Sequence, residues 1–376
     1  TSMLTQITLE RFKCFNRLYM PLKPLTLIAG TNGAGKSSII QALLLLRQSC
    51  KDKDYDWKQS VVINGGLTDL DDAGTLLYIN AEGDHNDIVL SLENDDTDEI
   101  TFRITPRQEK TTARCTTEGD LDKAKNEWPL FSDDFVYLYA DREQPRSKYI
   151  MTSETRLDSR LGNRSASNAA FLMASEVNNN KHIRIPQLKH HNAQDDTVLR
   201  NVSAWLSHIM GGQVSLTARE TEKDKEARFE YSIFNNSGLG QQLSPLNMPF
   251  GHSYVLPVIL AVLTAPAGSL ILVENPESHL HPGAQLRMGE FLSLAAASGI
   301  QIIIETHSDH LMNGIRIACR KEIIGCNQVE MDLIGLDADG YTHTRRPVQL
   351  NPDGTVKNLV PGFFDEWEKA LTSLIS

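Results

Sequence analysis

The sequence predicts an α/β fold with a mixed central sheet, an antiparallel β-subdomain and a mainly helical lid insertion. Short apolar runs suited to buried strands, at Leu25–Ala29, Leu270–Val273 and Ile302–Ile304, alternate with helical stretches, as a parallel sheet covered on both faces requires. Three further β-like runs, Thr75–Ala81, Asp87–Glu93 and Glu99–Thr105, are separated by acidic, turn-rich residues and read as an antiparallel meander. From Ser147 to about Gln242 the composition shifts to Asn, Ser, Lys and charged residues. Helical periodicity appears there at Asn168–Val177 and Thr197–Met210, and a strand pattern at Ala227–Phe234; no heptad runs through it, so a compact lid is expected rather than a coiled coil. The divisions fall at 3–146, 147–243 and 244–376.

Taken in order, Thr1 and Ser2 precede Met3 and read as a tag remnant. Met3–Phe15 alternates apolar and polar residues like a half-buried strand. Pro21 and Pro24 lead into Leu25–Ala29, and the apolar Ile39 to Leu46 leaves little polar face, so a buried helix is expected there. Lys51–Lys58 is a charged surface loop, Val61–Gly66 ends in a turn signal, and Phe135–Ala140 is another strand. Tyr254–Leu263 is an apolar helix, with Pro257 tolerable in its first turn.

Composition narrows the function classes. A net charge of −11 over 376 residues excludes a global basic footprint for nucleic acid, although a local patch survives that argument. Five scattered cysteines without C-x-x-C spacing suit reduced thiols and a cytoplasmic location. No apolar run reaches membrane-spanning length and no signal peptide is visible.

The chemistry concentrates between Gly30 and Ser38. Gly30, Gly35, Lys36 and Ser37 satisfy G-x-x-x-x-G-K-[ST] at every required position, after a strand and before a helix. Backbone N–H groups of Gly30, Thr31, Asn32, Gly33, Ala34, Gly35, Lys36, Ser37 and Ser38 are expected to curl around the phosphates of a nucleotide. Lys36 would reach the β- and γ-phosphates, Ser37 would ligate Mg²⁺, and the helix would aim its positive end at the triphosphate. LILVENPESHLHP places Glu274 at the end of a buried strand, where a carboxylate holds a magnesium hydration shell or merely faces solvent. QIIIETHSDH places His307 just past another strand, within reach of a γ-phosphate oxygen or an attacking water. Gly251 and Ser253 open a helix and form a second anion site, which would serve a neighbour's nucleotide. His190-His191 and Asn178–Asn180 read as exposed loops rather than metal ligands. Asp337-Ala338-Asp339 followed by Gly340 reads as a β-turn.

In chain order, RFKCF, GTNGAGKSS, FGHSY, LILVENPESHLHP and ETHSDHL resemble the ABC-type ATPases of the SMC, RecF and OLD group. The chain is most similar to the compact AAA-family ATPases of bacterial anti-phage operons, such as the Septu ATPase, and Pro361–Lys369 resembles the tail of that subgroup. The resemblance covers about residues 3–50 and 245–370 and leaves the lid unmatched. It implies a P-loop NTPase of ABC type with ATP and Mg²⁺ as cofactors. Gly30 to Ser38 would be Walker A, Glu274 the Walker B metal position, and Gly251 and Ser253 the signature presented across a homodimer or higher homo-oligomer. Ser278–His281 would be the D-loop, His307 the switch histidine and Gln144 the Q-loop residue at the metal, with Arg142 an equal candidate for a phosphate or signalling contact.

One departure stands out. The family carries a second carboxylate directly after the Walker B acid, and here that position is Asn275, which cannot accept a proton. Glu277 is the candidate substitute. Loss of a general base costs about 10²–10⁴ in rate, so a slow ATPase used as a switch or clamp is expected. The resemblance implies a separate effector, a nuclease or toxin, controlled in anti-phage defence. Two other readings stay open. One is an SMC/RecF-like repair ATPase that binds nucleic acid through Arg156, Arg160, Arg164, Lys181, Arg184 and Lys189 of the lid. The other is an OLD-type nuclease, for which the segment after His307 is short for a domain of ordinary size.

Overall fold

The computed structural model describes residues 2–81, 86–107, 110–142, 145–150, 181–221, 226–234, 238, 240–358 and 373. A six-stranded central sheet carries the site. Its strands are β3 (Leu25–Gly30), β8 (Phe135–Leu138), β13 (Leu270–Glu274), β14 (Gln301–Thr306), β15 (Val329–Leu336) and β16 (His343–Pro347). They lie in the order β16-β15-β3-β14-β13-β8, all parallel except β16, which pairs antiparallel with β15.

Alternation along these strands divides the hydrophobic core in two. Leu25, Leu27 and Ala29 of β3, Ile271 and Val273 of β13, and Ile302 and Ile304 of β14 face one core. Ile28, Leu270, Leu272 and Ile303 face the other. Both faces being apolar, the strands read as continuous hydrophobic runs. The first core is filled by α4 (Phe250–Thr264), α5 (Pro282–Ala297) and α6 (Asp309–Arg320). Helix α4 is buried from Gly251 to Leu263, so Pro257 lies in a helix interior rather than its first turn. There it removes a backbone donor, so the Ser253 carbonyl one turn earlier lacks its usual intrahelical partner.

The second core holds α1 (Lys36–Lys51), with Ile39, Ile40 and Ala42 to Leu46 buried as expected. Beyond α1 stands the antiparallel sheet β2-β1-β5-β6-β7-β4, built from β1 (Leu4–Phe12), β2 (Phe15–Pro21), β4 (Ser60–Val62), β5 (Ile88–Asn94), β6 (Glu99–Ile104) and β7 (Thr112–Glu118). The N-terminal run is thus a hairpin rather than one strand. Arg11 and Lys13 take φ 52 in its turn, and Lys13 N–H is held by Leu76 O at 2.7 Å. The meander also differs from expectation. Thr75–Ala81 is no strand: Asp72 caps a 3₁₀ turn at Ala73–Leu76 by accepting the Thr75 N–H at 3.0 Å. Its place as a third strand is taken by β7, where Ala113 and Cys115 alternate inward. A short helix, α2 (Leu121–Glu127), returns the chain to β8.

The described part of 147–243 has the helix expected at Thr197–Met210 and the strand expected at Ala227–Phe234, and adds further strands beside them. Helix α3 (Val198–Met210) buries Val198, Val202, Leu206 and Ile209 on one face. It packs beside an antiparallel sheet of β9 (Tyr149–Ile150), β10 (Val214–Thr221), β11 (Glu226–Phe234) and β12 (Gly240–Leu243). The expected helix at Asn168–Val177 and the run Asn178–Asn180 lie outside the described residues. His190 is not exposed: it is buried beside Trp205, ring centroids 4.7 Å apart, and burial pushes its pKa down to about 4. Asp337 to Gly340 form the expected β-turn, with Gly340 N–H on Asp337 O at 2.9 Å. No described helix is long and apolar enough to cross a membrane.

The two large sheets are spliced by one side chain. The Gln301 amide accepts from Leu4 N–H at 3.0 Å and donates to Leu4 O at 2.7 Å. Gln301→Leu strands both main-chain groups in the interior. We expect it to lower unfolding free energy by about 2–4 kcal/mol, read from urea denaturation.

Candidate functional site

The site forms where β3, β13 and β14 end on the same edge of the sheet. Gly30 closes β3 at φ 147, and a Cβ there would stand 2.2 Å from Ile334 O of the neighbouring strand. Only glycine lets the chain turn so close to β15. Gly35 has φ 103 and is equally confined, with a Cβ position 2.5 Å from Cys14 Sγ. Between them the loop is held by Ala34 N–H on Thr31 O at 3.2 Å and by His343 Nδ1 on Ala34 O at 2.7 Å. Lys36 is buried, and its ammonium donates to Gly30 O at 3.0 Å and Thr31 O at 2.9 Å. Burial lowers its pKa, opposed by the charge of Glu305.

The strand register sets the acids. Glu274 and Glu305 are paired residues at the ends of the parallel β13 and β14, and Glu305 is in turn opposite Ile28 of β3. Glu305 Oε1 accepts from Ser37 Oγ at 3.0 Å, while Oε2 is buried with no partner. Burial, reinforced by the Glu274 charge, pushes the Glu305 pKa up to about 7. Glu274 is held differently: Oε1 accepts from Tyr137 OH at 2.7 Å and Oε2 from Ala140 N–H at 3.2 Å.

Behind the acids, Arg142 braces the strand exit. Its Nη2 donates to Glu274 O at 2.7 Å and its Nη1 to Asn275 O at 3.1 Å. Burial draws its pKa down to about 10, against the charges of Glu277 and Glu274. Asn275 continues the ladder, N–H on Glu305 O at 2.7 Å, then turns left-handed at φ 45. An asparagine adopts that conformation at less cost than most residues. The turn brings Glu277 back so that its Oε1 accepts the His307 N–H at 3.0 Å; its Oε2 is buried without a partner. His307 is exposed and hydrogen-bonded to the Gly30 main chain, with its pKa lowered by desolvation and the Lys36 charge.

Lys36, Ser37 and His307 are thus tied to one loop, with Glu277 held on His307 and Glu274 one strand further out beside Tyr137. Gly251 and Ser253 are not hydrogen-bonded to that loop among the described residues. Gly251 packs on Ser278–His281 instead, where a Cβ would lie 2.8 Å from His279 O, and Ser253 Oγ is buried without a partner. Gln144 lies outside the described residues, as do Arg156, Arg160 and Arg164. Glu305, Tyr137 and His343 belong to the site although the motif reading passed over them. For Glu305 a signal existed: QIIIE, like LILVE, is an apolar run ending in a glutamate. His343 carries no such signal, since only the antiparallel return of β16 brings it to Ala34.

Chemically, the arrangement is a hollow of amides with an ammonium on one side and buried carboxylate oxygens on the other. Such a set suits a polyphosphate and a hard divalent cation, which prefers oxygen ligands. Ser37 Oγ and the partnerless Glu305 Oε2 are the donors in this structure that fit such an ion.

The fold is that of the P-loop heads of ABC and SMC type. Solved SMC heads share the architecture. One, bound to the C-winged helix domain of ScpA, aligns with TM-score 0.55 at 14% identity over 93% of this chain and 98% of its own. The head from Thermotoga maritima aligns with TM-score 0.50 at 14% identity over 93% of this chain and 100% of its own. The head with an extended coiled coil from Pyrococcus furiosus, bound to the C-terminal domain of ScpA, aligns with TM-score 0.51 at 12% identity over all of both chains. The chain belongs to the family described as "AAA domain, putative AbiEii toxin, Type IV TA system", whose profile matches residues 25–313. No curated protein matches the sequence.

Arg142 bridges two strand-end carbonyls with its planar fork, which an ammonium cannot span. We expect Arg142→Ala to cost about 3 kcal/mol of stability. Arg142→Lys should recover little of it. Denaturant titration of the two variants checks both.

Proposed function

We propose that the protein is a slow ATPase that closes as a homodimer around ATP and Mg²⁺ and so controls a separate effector, a nuclease or toxin, in anti-phage defence. The convergence of Lys36, Ser37, Glu305 and His307 on the Gly30–Ser38 loop carries the reading. In it the loop amides bind the triphosphate, and Lys36 trades its loop carbonyls for phosphate oxygens. Bound Mg²⁺ would neutralise developing phosphate charge from a place at Ser37 and the strand-end acids. His307 would then orient the γ-phosphate or the attacking water.

Slow hydrolysis is supported by position 275. Its side chain is an amide, and its carbonyl oxygen is buried without a partner. Glu277 is the candidate base, because its carboxylate accepts the His307 main-chain N–H and is so tied to the switch. Pairing of two heads rests on the motif resemblance, which assigns Gly251 and Ser253 at the amino end of α4 to a signature presented across a dimer. The effector and the defence role rest on the motif resemblance and on the toxin–antitoxin description of the family. A second reading, an SMC/RecF-like nucleic-acid-binding ATPase, rests on the motif resemblance and on the basic lid residues Lys181, Arg184 and Lys189. Absence of DNA binding at low salt removes it.

The first test is mass measurement with and without ATP. The wild-type chain should shift to a dimer on ATP, and Lys36→Ala should stay unshifted. The second is single-turnover hydrolysis. Glu277→Gln should slow it by about 10² or more. Fast wild-type turnover indifferent to that substitution would sink the slow-switch reading.

A further inference from the structure

The resemblance assigns the magnesium-side acid to Glu274, but the strand order favours a different carboxylate. β14 lies directly beside β3, and β13 lies one strand further out. Neighbouring strands are about 4.8 Å apart, so of two glutamates in the same register the one on β13 starts that much further from β3. The hydrogen bonds follow suit. Ser37 Oγ donates to Glu305, whereas Glu274 spends both oxygens on Tyr137 and Ala140. Glu305 is buried and keeps its second oxygen unpartnered beside the Ser37 hydroxyl.

On the nucleotide-binding reading above, we propose that Glu305 is the positioning acid of the magnesium site: it takes the proton of Ser37, directs the hydroxyl lone pairs at the cation, and adds the nearest negative charge. A serine hydroxyl has one proton and two lone pairs, so anchoring the proton on Glu305 leaves the lone pairs to the ion. Glu274 then serves from behind, fixing the β8 exit through Tyr137 and Ala140. Partners that orient a metal ligand in this way typically contribute about 10- to 100-fold in metal affinity.

The test is binding of a fluorescent, non-hydrolysable ATP analogue, measured in EDTA and across a Mg²⁺ titration, with Mn²⁺ resonance as an independent view of the cation. Glu305→Gln should keep its EDTA affinity within about 2-fold while needing about 10- to 100-fold more Mg²⁺. Ser37→Ala should show the same split, and the double variant should lose no more than either alone. Glu274→Gln should shift the Mg²⁺ requirement less than Glu305→Gln. Should Glu305→Gln fail to fold, Glu305→Asp keeps the charge with a shorter reach and should fall between it and wild type. A wild-type Mg²⁺ requirement in the Glu305 variants, with the loss carried by Glu274→Gln, overturns the proposal and leaves the ATPase reading standing. Equal loss with and without Mg²⁺ reduces Glu305 to a structural residue and also overturns it. A folded wild-type chain that binds no analogue at all brings down the nucleotide reading itself.

Discussion

The parallel register of β3, β14 and β13 is the constraint on which the molecule depends. It sets Ile28, Glu305 and Glu274 in one row across the sheet, at the level where the chain leaves β3 for the loop. Side chains alternate along a strand, so a slip of one residue would turn both acids from the sheet edge into the opposite core. The same register keeps Gly30 against Ile334, where nothing larger than hydrogen fits. Site geometry and core packing are therefore one property. Ile302, Ile303 and Ile304 cannot be buried on their proper faces unless Glu305 arrives beside Ser37.

Around that row the interior is left incompletely satisfied. Asn275 Oδ1, Glu277 Oε2, Glu305 Oε2 and Arg142 Nε are buried without hydrogen-bond partners. Most buried polar groups in folded proteins are paired, and each exception calls for a reason. These four lie at one edge of the central sheet, beside the Gly30–Ser38 loop, and they include atoms of both charge signs. A site that receives a charged ligand has such a distribution before the ligand arrives. The surrounding scaffold tolerates it because the central strands are buried on both faces and spliced to the second sheet through Gln301.

The rigid parts and the adjustable parts are segregated. The loop is clasped from three sides, by Cys14 and Phe15 of the hairpin turn, by Ile334 of β15 and by His343 of β16. The segment after β13 is built differently, as left-handed turns at Asn275 and His279 that join Glu277 to His307 and lay His279 under Gly251. It thus touches both His307, beside the loop, and the amino end of α4.

Much was determined by the sequence alone. The spacing of Gly30, Gly35, Lys36 and Ser37, the apolar runs of β3, β13 and β14 and the apolar stretch Val255–Leu263 of α4 follow from local chemistry, because backbone permissiveness and burial on both faces write themselves into neighbouring residues. The hairpin at Arg11–Lys13 and the 3₁₀ turn in place of a strand at Thr75 were not legible, since one depends on distant Leu76 and the other on a cap that competes with a β pattern. His190 reads as polar loop yet is buried, because Trp205 comes to it from another element. What only the tertiary structure decided was which acid stands at the serine. LILVE and QIIIE are equivalent as sequence, and the choice between Glu274 and Glu305 is made by strand order, a long-range pairing that no local pattern encodes.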